Sequence, residues 1–377
     1  MRIIDLLSFQ NGINGTPEQY GKGIKYISVG DILNNDYITY DKIAGSIDIN
    51  QETLKNYSVT YGDILFQRSS EIKEDIGRTN VYLDKDHTAT FGGFVIRGKK
   101  IGDYNPTFFN YLLKSPSSRQ SIVRLGAGAQ HYNIGQENIK TLNFYFPDEE
   151  EQQKIANLFS KIDERIQTQI KIIELKQSLI KDIEDKLLWK SASTYSRHIS
   201  DFLTELNDKS KIQNQYPLLS STKKGLFLQT DYFNKEAASS NNIGYKIVHE
   251  GDIIISPQNL WMGNITYNDK FVNGLVSPSY RIYKVKEEYN AYYISRILMS
   301  YRALSLYKNI SEQGASIVRR NLNVDAFNEL CFPIPNIKKQ DEVSLFLSKL
   351  HQELNSEIEI LRQLKNQKKY LLCNMFI

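Results

Sequence analysis

Two stretches of the chain place apolar residues three, four or seven positions apart along one seam. A mean spacing close to 3.5 residues is typical of a coiled-coil helix with one apolar seam. Each stretch covers about 40 residues, so each helix would be about 60 Å long. Because such a seam needs a partner, we expect the two helices to pack as an antiparallel pair; the alternative is that each helix packs on its own domain. The seam positions are Ile155, Phe159, Ile162, Ile166, Ile173, Ile180, Ile183 and Leu187, then Val343, Leu347, Leu350, Leu354, Ile358, Leu361 and Leu364.

The beginning of the first helix occurs twice. QQKIANLFSKID (152–163) is matched by QDEVSLFLSKLH (340–351), and in both copies a Pro-x₄-Gln sequence precedes or overlaps the helix start. Four other segments recur in the same order at similar offsets, which indicates an internal duplication. These pairs are RIIDLLS with HISDFLT, YGDILFQRS with EGDIIISPQ, YNPTFFNYLLKS with YNAYYISRILMS, and GAGAQHYNIGQENIKTLNFYFP with EQGASIVRRNLNVDAFNELCFPIP.

The duplication predicts a globular domain at 1–147, a helix at 148–189, a second globular domain at 190–335 and a second helix at 336–377. Within each globular half, a Gly-Asp pair precedes an apolar run, which is typical of a turn that leads into a short buried strand. FFNYLLKS and YYISRILMS favour short helices, whereas TLNFYFP and ELCFPIP favour a final strand that ends at proline. The fold class is therefore α+β, or mixed α/β. We assign Gly62, Asp63, Gly251 and Asp252 to turn geometry.

Composition limits the environment of the protein. Hydrophobic residues make up 41% and charged residues 24% of the 377 residues, and no apolar run approaches the length that spans a membrane. Two cysteines are too few for a disulfide framework, so we expect a reducing cytoplasm and no membrane partner. The net charge of +4 is a weak indication of nucleic-acid binding. The first long helix has seven Lys and Arg against ten Asp and Glu, so it suits a spacer better than a DNA-contacting surface.

Motifs for independent chemistry are lacking. NPTF (105–108) only partly resembles the Asn-Pro-Pro-Phe/Tyr loop of DNA methyltransferases, because Thr107 breaks it. FGGF (91–94) lacks the pattern of a cofactor loop and is interpreted as a strand with a close-packed turn. His249-Glu250 has no second histidine at zinc-ligand spacing, and no phosphate-binding Gly-rich loop occurs. We therefore expect no catalytic residue, metal site or cofactor on this chain.

The ordered, duplicated set of GDI(L/I), the Gly-containing segment, the strand ending in proline and the Gln-led helix resembles the specificity subunit of Type I restriction–modification systems. The resemblance covers essentially the whole chain, although QDEV replaces QQKI in the second helix. It implies two target-recognition domains that each read half of a bipartite, asymmetric site in double-stranded DNA. It also implies that the helices set the spacer and dock two modification subunits, with restriction subunits in the complex. S-adenosylmethionine, ATP and Mg would bind those partner subunits.

Polar runs beside the repeated strands are the candidate DNA contacts. Side chains with hydrogen-bond donors and acceptors read base edges or hold phosphates, and neighbouring small residues let the backbone approach closely. Lys22, Lys25 and Tyr26 form a further, weaker group. The candidates are Lys22, Lys25, Tyr26, Gln67, Arg68, Ser69, Ser70, Gln130, His131, Tyr132 and Asn133 in the first half, and Ser256, Gln258, Asn259, Trp261, Arg319, Arg320 and Asn321 in the second half.

The leading hypothesis is a non-catalytic DNA-recognition and scaffold subunit. One alternative is a protein-binding adaptor with duplicated domains. Another is a self-sufficient modification enzyme, which the missing catalytic and cofactor motifs disfavour. Salt-dependent binding to a duplex distinguishes the first two hypotheses, because neutralising phosphates releases counterions.

Overall fold

The computed structural model describes residues 2–190, 194–223, 225–232, 241–313 and 320–376. The chain forms two compact units. The first contains the chain up to Ile170 together with the chain from Glu359, and the second runs from Lys171 to Ile358. Both units combine helices and strands, so the predicted α+β class is confirmed.

Short strands and helices of the first globular half precede a helix of 41 residues. In chain order they are β1 (Leu7–Asn11), β2 (Tyr20–Ile27), α1 (Val29–Asn34), β3 (Gly45–Ile47), α2 (Gln51–Asn56), β4 (Ile64–Gln67), β5 (Ser69–Ser70), β6 (Thr79–Val81), β7 (Thr90–Phe91), β8 (Val95–Lys100), α3 (Pro106–Lys114), α4 (Pro116–Val123), β9 (Tyr132–Asn133), α5 (Gln136–Ile139) and the long α6 (Glu149–Trp189).

A helix of 39 residues follows the second globular half. Its described elements are β10 (Thr194–His198), α7 (Ile199–Phe202), β11 (Leu203–Leu206), β12 (Leu219–Thr222), β13 (Gly225–Leu228), α8 (Gln229–Tyr232), β14 (Lys246–His249), β15 (Ile253–Ile255), β16 (Ile265–Tyr267), β17 (Asn273–Val276), β18 (Arg281–Val285), α9 (Ala291–Leu298), α10 (Tyr301–Asn309), β19 (Ser311–Gln313), β20 (Arg320–Leu322), α11 (Val324–Asn328), β21 (Cys331–Pro335) and the long α12 (Ile337–Met375).

The same antiparallel four-stranded sheet occurs in both units. The strand order is β1-β8-β4-β6 in the first unit and β11-β18-β15-β16 in the second. Ile64 pairs with Gly98 in one sheet and Ile253 pairs with Tyr283 in the other, so the central strands have matching registers. The structural repeat therefore agrees with the repeat in the sequence.

The repeated Gly-Asp pairs make equivalent turns. Gly62 and Gly251 have φ values of +92° and +88°, a region that favours glycine. Asp63 accepts a hydrogen bond from the Thr60 amide at 3.0 Å, and Asp252 accepts one from the His249 amide at 2.7 Å. Burial is the main cause that raises the pKa of both carboxyl groups. Their predicted role in turn geometry is confirmed.

A buried glutamine joins each globular half to the long helix that follows it. In the first unit the Gln152 side chain donates to the Pro147 carbonyl at 2.9 Å and accepts from the Asn105 amide at 2.9 Å. Asn105 in turn caps α3 by accepting from the Phe108 amide. This arrangement, which we call the glutamine clamp, connects the last residues before α6 to the start of α3.

The second unit contains the same glutamine clamp. Gln340 donates to the Pro335 carbonyl at 2.8 Å and accepts from the Asn290 amide at 2.9 Å, while Asn290 caps α9. The two glutamines are only 3% and 2% exposed. The Pro-x₄-Gln spacing in the sequence therefore corresponds to a defined hydrogen-bonded junction.

The two long helices pack against each other within each unit. In the first unit, Ile162 and Ile166 of α6 form an apolar cluster with Leu364 of α12, and Leu361 packs against it. Beside this cluster, Lys368 pairs with Asp163 at 2.5 Å. Because the beginning of α6 meets the end of α12, the pairing is antiparallel, as predicted.

In the second unit, the later part of α6 meets the earlier part of α12. Val343 and Leu347 are buried in the main core of this unit together with Leu188, and Leu350 packs against that core. Ile173 and Ile180 are also buried, whereas Leu354 is half-buried. In the first unit Phe159 is fully buried and Ile155 packs against the core.

Two predictions about local structure are wrong. Ile358 is 43% exposed, because Glu357 occupies the facing position and pairs with Lys176 at 2.8 Å. TLNFYFP (141–147) does not form the expected strand, since its pairing is reduced to a single bridge between Asn143 and Arg2. The matching segment of the second half does form a strand, β21, which pairs with β10.

Candidate nucleic-acid interface

In the first unit, two polar runs that are far apart in the sequence pair as two short antiparallel strands. Ser69 and Ser70 of β5 pair with Asn133 and Tyr132 of β9. The Ser69 hydroxyl is also hydrogen-bonded to the Asn133 side chain. The structure thus brings together two groups of candidate residues that the sequence could not connect.

Arg68 connects this pair of strands to the Gly92-Gly93 turn. Its guanidinium donates to the Gly93 carbonyl at 3.2 Å, and its backbone amide donates to the Phe94 carbonyl at 2.9 Å. The Arg68 carbonyl accepts from the Ile134 amide at 3.0 Å, at the end of β9. An exposed arginine is therefore fixed at its base by backbone contacts to two neighbouring loops.

Tyr26 brings the weaker candidate group to the same turn. A Cβ atom added to Gly92 would lie 2.3 Å from the Tyr26 hydroxyl oxygen, so the ring packs closely on this glycine. Burial is the main cause that raises the Tyr26 pKa. Lys25 donates to the Ile43 carbonyl at 2.8 Å, and the exposed Lys22 pairs with Asp48 at 3.2 Å. Tyr26 thus packs against Gly92 of the turn, whereas Lys22 lies at the surface.

Exposure divides the remaining candidates of the first unit. Gln67 is only 4% exposed and donates to the Ser69 carbonyl at 2.9 Å, so in this structure it supports the loop and is not available to a ligand. The reason is that Gln67 is the last residue of β4, all four residues of which are buried. By contrast, Gln130, His131 and Asn133 are exposed.

The second unit places three candidates side by side. The Arg320 guanidinium lies over the Trp261 ring at 4.6 Å from its centroid, a cation–π contact that orients the charge. The Arg320 amide donates to the Gln258 carbonyl at 3.3 Å. In both units, a backbone hydrogen bond thus joins the loop after the central strand, β4 or β15, to the second polar segment.

The other candidates of the second unit have different surroundings. Ser256 is 8% exposed and accepts from the Asn259 side-chain amide at 3.3 Å, so both residues shape the loop. Asn321 is exposed on β20, which pairs with β19. Arg319, which was also a candidate, lies outside the described residues.

Sequence reasoning missed Phe94 at this surface. Its side chain is 67% exposed, although the FGGF segment was interpreted only as a strand with a close-packed turn. The missed signal was a Gly-Gly pair followed by an aromatic residue between two short strands. Both cysteines, Cys331 and Cys373, are exposed free thiols.

Within the described ranges, no group of three or more His, Cys, Asp or Glu side chains is arranged to hold a metal ion. Among the same residues, no helix is long and apolar enough to cross a membrane. What the surface offers is a set of arginine, amide and hydroxyl groups of the kind that bind phosphates and base edges.

Comparisons with known proteins show what this arrangement is similar to. The family model described as Type I restriction modification DNA specificity domain matches residues 12–177, which is less than half of the chain. A similar protein is the putative type I restriction enzyme MjaX specificity subunit of Methanocaldococcus jannaschii, which is 28% identical over 163 residues. The match covers 42% of this chain and 38% of the specificity subunit from M. jannaschii.

Solved specificity-subunit structures share the fold. The S subunit of a Type I restriction–modification system from M. genitalium superposes with a TM-score of 0.56 at 15% identity, covering 100% of this chain and 95% of the other. A chain from a study of complex assembly and conformational transition of the type I R-M system gives 0.62 at 10% identity, covering 99% and 95%. At these identities the likeness concerns the fold. The predicted resemblance to Type I specificity subunits is confirmed.

Proposed function

We propose that this chain is the non-catalytic subunit that recognises the DNA target of a Type I restriction–modification complex. The observation that carries the proposal is the duplicated unit, in which a polar loop leaves the same strand of the same sheet and contacts a second polar segment. Arg68 contacts the turn beside β9 in one unit, and Gln258 contacts β20 in the other. A duplicated reader suits a target with two half-sites.

The two half-sites would differ in sequence. Arg68, Gln130, His131 and Asn133 are exposed in the first unit, whereas the second unit offers Arg320 on its Trp261 support. Base edges in the major groove present distinct patterns of donors and acceptors, so different side chains select different bases. The proposed target is therefore bipartite and asymmetric.

The long helices suit a spacer and a docking scaffold. Their seams are largely buried in the helix pair, whereas Leu175, Leu179, Leu345 and Phe346 are exposed apolar residues on the helices. We propose that two modification subunits, and through the complex the restriction subunits, assemble with this chain. S-adenosylmethionine, ATP and Mg would then bind those partners.

Salt-dependent binding tests the DNA-recognition proposal. Methylated sites in the host genome would first give the target, and the purified chain would then be titrated with that duplex at several salt concentrations. Affinity should fall steeply with salt, by close to one power of the salt concentration for each phosphate neutralised. Binding to a protein partner but to no duplex, without this salt dependence, would support the adaptor alternative and exclude the proposal.

Arginine variants localise the interface. Arg68→Ala and Arg320→Ala should each weaken target binding by about tenfold, since one good base contact is worth about 1–3 kcal/mol. Arg362→Ala is the matched control, because Arg362 is an exposed arginine on α12 paired only with Glu359 nearby on that helix. Equal effects of all three substitutions would indicate nonspecific charge loss and would remove the two loops from the interface.

Shortening both helices tests the spacer role. Deleting seven residues from each helix preserves the seam but removes about 10 Å of helix. The preferred spacing between half-sites should then shorten by about three base pairs, given about 3.4 Å per step. An unchanged spacing with intact binding would refute the spacer role while leaving DNA recognition in place.

A further inference from the structure

Phe94 is an exposed aromatic residue on a turn whose backbone is fixed by hydrogen bonds. It lies at the turn between β7 and β8 and is 67% exposed. Its carbonyl accepts from the Arg68 amide at 2.9 Å, and the Val95 amide donates to the Gly92 carbonyl at 2.8 Å. The ring is therefore presented by a hydrogen-bonded turn, and it takes no part in the apolar core.

The two glycines before Phe94 are required by close packing. An added Cβ would lie 2.3 Å from the Tyr26 hydroxyl at Gly92 and 2.1 Å from the Asn14 side-chain oxygen at Gly93. Tyr26 and Asn14 thus press on the turn from the protein side. The Arg68 guanidinium holds the Gly93 carbonyl at 3.2 Å. These contacts leave the next residue, Phe94, as the part of the turn that faces outward.

The chemistry around the ring suits duplex DNA. Arg68 lies at the base of the turn and supplies a guanidinium, a group that binds base edges as well as phosphates. Ser69 and Asn133 of the adjacent β5–β9 strand pair supply hydroxyl and amide groups. An exposed apolar ring on a turn that is hydrogen-bonded to the polar Arg68 segment resembles the arrangement in which a side chain inserts between base pairs while neighbouring residues hold the backbone.

We propose that Phe94 inserts at a base step of the half-site read by the first unit. The proposal rests on the proposed DNA-recognition function. Insertion partly unstacks the step, which costs least at flexible pyrimidine–purine steps, so Phe94 would select for such a step without a hydrogen bond to a base.

The second unit has a serine at the position equivalent to Phe94. Gly98 and Tyr283 lie opposite the equivalent residues Ile64 and Ile253, and this register places Ser279 at the position of Phe94. Ser279 follows Pro278, and its amide donates to the Ser277 hydroxyl at 3.4 Å. Insertion at this position would therefore occur in the first half-site and not in the second, which adds to the asymmetry of the target.

Three variants of the full chain test the wedge on target and scrambled duplexes at several salt concentrations. Phe94→Ala should weaken target binding about 10- to 100-fold, in the range of losing one base–aromatic contact. Binding to the scrambled duplex and the dependence on salt should stay unchanged, because Phe94 neutralises no phosphate. Phe94→Trp should keep most of the affinity. Tyr145→Ala is the matched control, since Tyr145 is a 91% exposed aromatic residue just before α6.

A fluorescent base gives an independent readout. 2-Aminopurine placed at successive steps of the target should brighten at one step of one half-site with the wild-type chain, and should not brighten with Phe94→Ala. Unchanged affinity, equal loss on both duplexes, or brightening that survives Phe94→Ala would overturn the proposal. Loss of partner-subunit assembly with normal DNA binding would also overturn it, by assigning Phe94 to a protein interface. If the wild-type chain binds no duplex, the proposed function fails, which is a distinct outcome.

Discussion

Replacing Gln340 by alanine should destabilise the second unit substantially although it removes no charge and little apolar surface. The Gln340 side chain is 2% exposed and satisfies two backbone groups, the Pro335 carbonyl and the Asn290 amide. Asn290 also caps α9 through the Tyr293 amide. Truncation leaves both backbone groups without their partner and weakens the support of the cap.

The magnitude follows from these two bonds. A net hydrogen bond contributes about 0.5–1.5 kcal/mol, and a buried group left unsatisfied costs about 1–3 kcal/mol. Allowing for partial relaxation or entry of water, we expect a loss of about 2–4 kcal/mol in the free energy of unfolding. For a unit of this size that corresponds to a decrease in melting temperature of about 4–16 °C.

Urea denaturation and amide hydrogen exchange provide the measurement. Exchange of the Asn290 amide should accelerate in Gln340→Ala in proportion to the loss of stability. Gln340→Glu separates the two bonds, because a carboxylate still accepts from Asn290 but cannot donate to Pro335. Asp341→Ala is the matched control: Asp341 is exposed and bonds only to the Asn290 side-chain amide, so its loss should cost under about 1 kcal/mol.

The first unit supplies an internal replicate of this experiment. Gln152→Ala removes the equivalent bonds to Pro147 and Asn105 and should cost a similar amount. If Gln340→Ala and Asp341→Ala destabilise the chain equally, or if neither changes Asn290 exchange, the clamp has no special energetic role and the reasoning is refuted.

Two further predictions concern buried charges. Glu184→Ala should destabilise the second unit by about 2–4 kcal/mol, because Arg296, which pairs with Glu184 at 2.6 Å, loses its carboxylate partner. Lys186→Ala, at an exposed neighbour on α6, is the control. Equal denaturation midpoints for the two variants would contradict this prediction. Burial lowers the pKa of Lys114 from 10.5 to about 7, so the unfolded chain binds more protons between these values and stability should rise with pH from about 7 to 10.5. Lys114→Met should flatten that rise in urea titrations at stepped pH, and an unchanged slope would show that Lys114 is not its source.

The duplication and the helix pair were predictable because they depend on local periodicity. Apolar residues at heptad spacing require a partner, and the recurrence of QQKIANLFSKID as QDEVSLFLSKLH identified one. The error at Ile358 has a specific cause. A heptad seam allows a step of three or four residues after Leu354, which leads to Glu357 or to Ile358. Hydrophobicity favoured Ile358, but in the structure Glu357 occupies the facing position and pairs with Lys176.

The candidate interface was only partly predictable, because burial and chain packing decide which polar side chains remain available. Gln67 and Arg68 are adjacent in the sequence, but Gln67 is the last residue of the fully buried strand β4, whereas Arg68 lies just beyond the strand and is exposed. Phe94 was missed because an aromatic residue after two glycines is equally compatible with a buried strand. The contacts of Tyr26 and Asn14 with those glycines, which expose Phe94, depend on tertiary structure.

The glutamine clamp has a consequence for how such a chain can change its target. Both junctions use the same three groups, a proline carbonyl, a buried glutamine and the amide of a helix-capping asparagine. The proline carbonyl and the helix-capping asparagine both belong to the globular half. A half could be exchanged between the two positions, or replaced by another with the same Asn and Pro-x₄-Gln spacing. In either case it would make the same hydrogen bonds to the glutamine of the helix. Under the proposed function, recombination at these junctions would therefore create a new combination of half-sites in one step, without redesigning the helices.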